Sequence, residues 1–116
     1  MRFMELRLNR KEQLELKKKW SEQYKELEII INDWDPMNLI RGGAPQDEYD
    51  CIGTQLLNLL HNGLKKDEVK EFIYRELDEH FDLKLEDIKL EYQQRFIDSV
   101  NKFCDDIFKW YSQYEV

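Results

Sequence analysis

Glycine and proline are scarce, four and two among 116 residues, and cysteine and histidine number only two each. Both prolines and two of the glycines fall between Asp33 and Asp50, so that stretch is the main irregular connection in a chain otherwise free to form long helices. Cys51 and Cys104 lack a CxxC spacing, which argues against a disulfide-stapled secreted fold or a redox pair and for buried thiols in a reducing compartment. Apolar runs are short, Ile29 to Ile31 being typical, whereas a membrane-spanning helix needs roughly 20 such residues. Arg2, Glu5, Arg7 and Arg10 interrupt the first residues, so no signal peptide is expected and a cytoplasmic location is. A basic surplus is missing too: 18 Lys and Arg stand against 25 Asp and Glu, a formal charge of −7. Phosphate-tracking and adhesion to anionic lipid both need a net basic face, so neither nucleic acid nor membrane is expected as a partner.

Catalytic signatures are absent in the same way. No serine sits in a GxSxG elbow, and Gly42-Gly43 has none of the surroundings of a phosphate-cradling loop. Di-iron bundles place Glu and His three apart on a helix, but Glu76 and His80 stand four apart. His61 and His80 are read as partners of helix-end carbonyls rather than metal ligands. Asp47, Glu48 and Asp50 lack EF-hand spacing and are read as helix-dipole complements. No metal, cofactor or catalytic residue is therefore expected.

What the chain does contain is charge, 37% of residues, and a hydrophobic share of 41% arranged at helical spacing. Asn9 with Glu12 forms a capping-box pattern that starts a first helix. Leu16, Trp20, Tyr24, Leu27, Ile30, Ile31 and Trp34 then line one face, so one helix is expected over 10–33, after a short extended lead-in within residues 1–8. Asp35-Pro36 stops it. After a loop over 34–46, Pro45 and the acidic Asp47, Glu48 and Asp50 open a second helix that Asn62-Gly63 ends. Gly53 within it suggests the close approach of another backbone. A third helix is expected near Asp67 to Phe81 and a fourth from Leu85 to Tyr114. The expected fold is all-α: one domain over 1–116, an antiparallel four-helix bundle with two long outer helices, two shorter inner ones and a structured loop between the first two.

That loop carries the most distinctive residues. Trp34, Asp35 and Pro36, followed by Gly43, Ala44, Pro45, Asp47, Glu48 and Tyr49, form a WDP…GAPxDEY pattern that resembles the YugE-like small bacterial helical proteins. The resemblance implies a compact helical cytosolic protein, similar also to small immunity-like proteins, and brings no catalytic residues with it.

Read from the residues, Pro36, Gly42, Gly43, Ala44 and Pro45 shape the loop, while Trp34, Asp35, Arg41, Asp47, Glu48 and Tyr49 are the candidate contacts for a protein partner. The leading expectation is a non-enzymatic binding protein, an immunity- or antitoxin-type inhibitor whose acidic surface meets a basic protein. Two alternatives stand beside it: a metal-dependent or acid/base hydrolase using Asp35, Asp47, Glu48 and His61 or His80, and a self-associating structural domain, monomer or homodimer.

Overall fold

The computed structural model describes residues 2–114. Within them the chain is helical throughout, with no strand and no helix long and apolar enough to cross a membrane. The helices are α1 (Arg2–Glu5), α2 (Arg10–Lys19), α3 (Ser21–Trp34), α4 (Asp50–His61), α5 (Lys66–Phe81) and α6 (Leu90–Tyr111), with 3₁₀ turns at Leu85–Asp87 and Ser112–Tyr114. The chain divides after Leu64 into two compact units, the first holding α1 to α4 and the second α5 and α6.

In the first unit α4 is the central element, packed against both α2 and α3. Ile52, Leu56, Leu57, Leu59 and Leu60 are all buried, at about 1.5–3 kcal/mol for each fully buried aliphatic side chain. From α3, Tyr24, Leu27 and Ile31 are buried at steps of three and four. No residue of α2 is fully buried, in keeping with its charged composition. Asn9 caps α2 as its sequence requires: its side chain accepts from the Glu12 amide at 2.8 Å, and its own amide donates to the Glu12 carboxylate at 3.0 Å.

Two expectations for residues 1–33 are corrected. The N-terminal lead-in contains a helical turn, α1, not only extended chain, and Phe3 from it is buried. The single helix expected over 10–33 is two helices broken at Trp20, whose backbone sits at φ −116° and ψ 41°. Trp20 packs edge-on against His61 of α4 at 4.5 Å, and His61 is within 2.7 Å of the Gln23 side chain. The break lets α2 and α3 each lie along α4. Apolar spacing runs through it unbroken, because the Trp20 amide still reaches the Leu16 carbonyl and the Tyr24 amide the Trp20 carbonyl.

The second unit pairs α5 with α6. Val69, Phe72, Ile73 and Leu77 are buried from α5, and Val100, Phe103, Cys104 and Ile107 from α6. Asp82 stops α5 in the left-handed region at φ 53°, with the Leu83 amide returning to the Leu77 carbonyl at 3.1 Å. The fourth expected helix is shortened: Ile88 and Lys89 are extended, and α6 begins only at Leu90. A bond from the Gln93 side-chain amide to the Ile88 carbonyl, 2.9 Å, holds that entry. The cysteines form no disulfide, and burial pushes the Cys104 thiol up to about 11.

Gly53 faces the Tyr24 ring rather than a backbone: a Cβ there would lie 3.1 Å from Tyr24 Cε2 and from its hydroxyl. Alanine ordinarily favours a helix interior over glycine by about 1 kcal/mol, yet Tyr24 cannot retreat, because its hydroxyl donates to Asp50. Gly53→Ala is therefore expected to lower the urea midpoint, a net loss of about 1 kcal/mol. A midpoint at or above wild type would show that the ring gives way.

Candidate functional site

The residues between α3 and α4 converge on one carboxylate. Asp35 follows α3 in the left-handed region, φ 44° and ψ 62°, which turns its side chain inward; the residue is 2% exposed. A charge withdrawn from water in this way must be fully hydrogen-bonded. Its Oδ1 accepts from the Tyr49 hydroxyl at 2.6 Å and from the Ile40 amide at 3.1 Å, and its Oδ2 accepts from the Arg41 amide at 3.0 Å. The Arg41 guanidinium stands 4.0 Å away. Burial alone raises the Asp35 carboxyl, but these donors, Tyr49 foremost, outweigh it and hold the group below its ordinary range.

Tyr49 is the other half of the clasp. It is 2% exposed, and its hydroxyl also accepts from the Met37 amide at 3.0 Å. Burial first, then the bond to Asp35, pushes it up to about 12. The clasp joins the end of α3 to the start of α4 across 14 positions and closes the loop on itself. Inside it the chain makes tight turns, with Asn38 at φ 56° and Gly43 at φ 93°, and with the Ala44 amide bonded to the Leu39 carbonyl at 2.9 Å. Asn32 on α3 binds Gln46 through both its backbone carbonyl and its side chain, at 3.0 and 3.1 Å.

A second polar cluster anchors the start of α4. Asp50 Oδ1 accepts from Lys17 Nζ at 2.9 Å and from the Tyr24 hydroxyl in a short bond. Tyr24 is raised far above the ordinary phenol range, by burial and then by Asp50, so it stays protonated and acts as a donor.

The residues singled out in the sequence thus divide. Asp35 and Tyr49 are buried in the clasp, Trp34, Pro36 and Ala44 are half-buried, and Arg41, Gly42, Gly43, Pro45, Asp47 and Glu48 face solvent. Arg41 lies across the loop, donating to the Asn38 side chain at 2.9 Å and to the Asp33 carbonyl at 3.4 Å. Pro45 does not open α4: residues 46–49 are turns, α4 begins at Asp50, and no side chain caps it. Asp47 and Glu48 are left on the surface because Tyr49 must stay outside the helix, at φ −98° and ψ 18°, to reach Asp35. His61 meets Gln23 and Trp20, and His80 Nε2 lies 2.8 Å from buried Glu76. Burial, then Lys19, lowers the His61 pKa.

In the second unit an open groove of about 460 Å³ is lined by Tyr74, Arg75, Asp78, Leu83, Lys84, Leu85 and Glu86. Its cations are paired, Arg75 with Glu79 at 3.0 Å and Lys84 with Asp78 at 3.7 Å. Sequence reading missed the Asp50 cluster and the Asn32–Gln46 bonds. Tyr24 and Asp50 lie 26 positions apart, and nothing local in the sequence links them. Compared with known proteins, the chain matches no family model, no curated protein and no solved structure.

Tyr49→Phe removes one donor from a buried carboxylate, so a loss of about 1–3 kcal/mol is expected in urea unfolding, with helix content retained by circular dichroism. Because the folded Asp35 pKa is depressed, its contribution is present above the unfolded carboxylate value of about 3.9 and is lost as pH falls through the lower folded value. Wild type is therefore expected to lose more stability below pH ~4 than Asp35→Asn. Tyr49 has the opposite sign: its contribution holds below the unfolded phenol value of about 10 and is lost as pH rises toward about 12, which spectrophotometric titration would detect.

Proposed function

We propose that this chain is a non-enzymatic protein-binding domain that presents its clasped loop, through Arg41, Asp47 and Glu48, to a basic protein partner. The observation that carries this reading is the Asp35–Tyr49 clasp. A buried, fully donated carboxylate holds an exposed loop in one conformation, and a loop ordered in advance forfeits less entropy when it binds. The net charge of −7 supports a basic partner, since complementary fields speed encounter and discriminate against acidic surfaces. The likeness of residues 34–50 to the YugE-like and immunity-like loops supports an inhibitor-type role, in which the loop covers a basic cleft.

The test is affinity capture followed by measured binding of the captured protein to three chains. Wild type is expected to bind with an affinity that falls as salt rises. Asp47→Lys/Glu48→Lys is expected to lose binding at least tenfold. Tyr49→Phe, which leaves the exposed side chains intact, is expected to bind more weakly because the loop must be ordered on contact. Equal, salt-independent binding by all three chains would remove the loop from the interface.

A further inference from the structure

Residues 6–8 are bound by side chains in a way ordinary packing does not require. Gln55 of α4 is 2% exposed, and both ends of its amide meet the main chain of one residue. Its Oε1 accepts from the Leu8 amide at 2.8 Å, and its Nε2 donates to the Leu8 carbonyl at 2.8 Å. One helical turn on, Asn58 donates to the Leu6 carbonyl at 2.8 Å. Gln13 donates to the Leu8 carbonyl at 3.3 Å and is itself steadied by the Thr54 hydroxyl at 2.8 Å. These bonds are the ones a neighbouring strand would make, supplied by helix side chains instead.

We propose that Gln55 and Asn58 form a binding site for an extended peptide segment of another protein, held shut in this chain by its own residues 6–8. Three features carry the proposal. All the bonds from Gln55 and Asn58 to the bound segment go to main-chain atoms, so they do not restrict which residues occupy it. Leu6 and Leu8 are half-buried while Arg7 between them is exposed, so the occupant is a short peptide with apolar residues two positions apart. The reciprocal Asn9–Glu12 bonds that start α2 use none of residues 6–8, so the cap of α2 does not depend on the segment staying bound. Tethering gives the chain's own segment a millimolar effective concentration, so an outside peptide competes only when the segment is loosened. The site uses none of the loop residues, so it stands or falls independently of the reading above.

The test uses the full chain carrying Leu8→Pro, which deletes the amide that donates to Gln55, and a synthetic peptide of residues 1–8 as the probe. In ¹⁵N spectra the side-chain amides of Gln55 and Asn58 are expected to shift saturably with peptide in Leu8→Pro. Binding is expected to be at least tenfold weaker in wild type and lost in Leu8→Pro/Gln55→Ala. No shift at Gln55 or Asn58, with α4 amides still protected, overturns the proposal, as does equal binding by the double variant. Should Leu8→Pro fail to fold, wild type with millimolar peptide decides the matter through amide hydrogen exchange. Faster exchange at Leu8 with α4 still protected supports displacement, and an unchanged rate overturns it.

Discussion

A carboxylate inside the protein carries its charge only where donors surround it, and much of the first unit is arranged around meeting that need at Asp35. The left-handed backbone at Asp35 points the side chain inward. The Ile40 and Arg41 amides must then turn back toward it, which sets the turn that follows Pro36. The Tyr49 hydroxyl must reach it from the far side, which keeps Tyr49 out of the helix and makes Asp50 the first residue of α4. One electrostatic requirement thus determines where α3 ends, how the loop turns and where α4 begins.

The same chain meets its special backbone needs with little glycine. Left-handed conformations fall at Asp35, Asn38 and Asp82 as well as at Gly43 and Gly63. Asp and Asn tolerate this region better than other side chains but still strain in it, by roughly 1–2 kcal/mol. Asp35 is held there by its donors. Asn38 is held by the Arg41 guanidinium and by the Gly42 amide on its carbonyl, and Asp82 by the closing bonds of α5.

Polar side chains on α4 do the work that strands do elsewhere. Asp50, Thr54 and Asn58 are spaced four apart, so they lie along one stripe, with Gln55 beside it. From that stripe α4 holds Lys17 and Tyr24, Gln13, and the main chain of Leu6 and Leu8. Leu56, Leu57, Leu59 and Leu60 meanwhile fill the core. A helix that is both core and polar hub explains why Thr54 and Gln55 are buried at all: each has its bonds satisfied where it lies.

Although Trp20 and Tyr92, which share the apolar spacing, are exposed, the sequence by itself determined the helical class, most of each buried face, the capping box at Asn9, the stop at Asn62-Gly63 and the place of the irregular loop. These follow from spacing and local chemistry, which act within a turn or two of helix. Tertiary structure alone decided the break at Trp20, the extended residues before Leu90, the burial of Asp35, the bond that ties Tyr49 to it, and the exposure of Asp47 and Glu48 in place of a capping role. The partners that settle those features lie far along the chain: His61 is 41 positions from Trp20, Tyr49 is 14 from Asp35, and Gln55 is 47 from Leu8. A periodic pattern records which face of a helix is apolar. It carries no term for a bond that forms only after two helices have met, and in this chain such bonds set the loop, the breaks and the candidate sites.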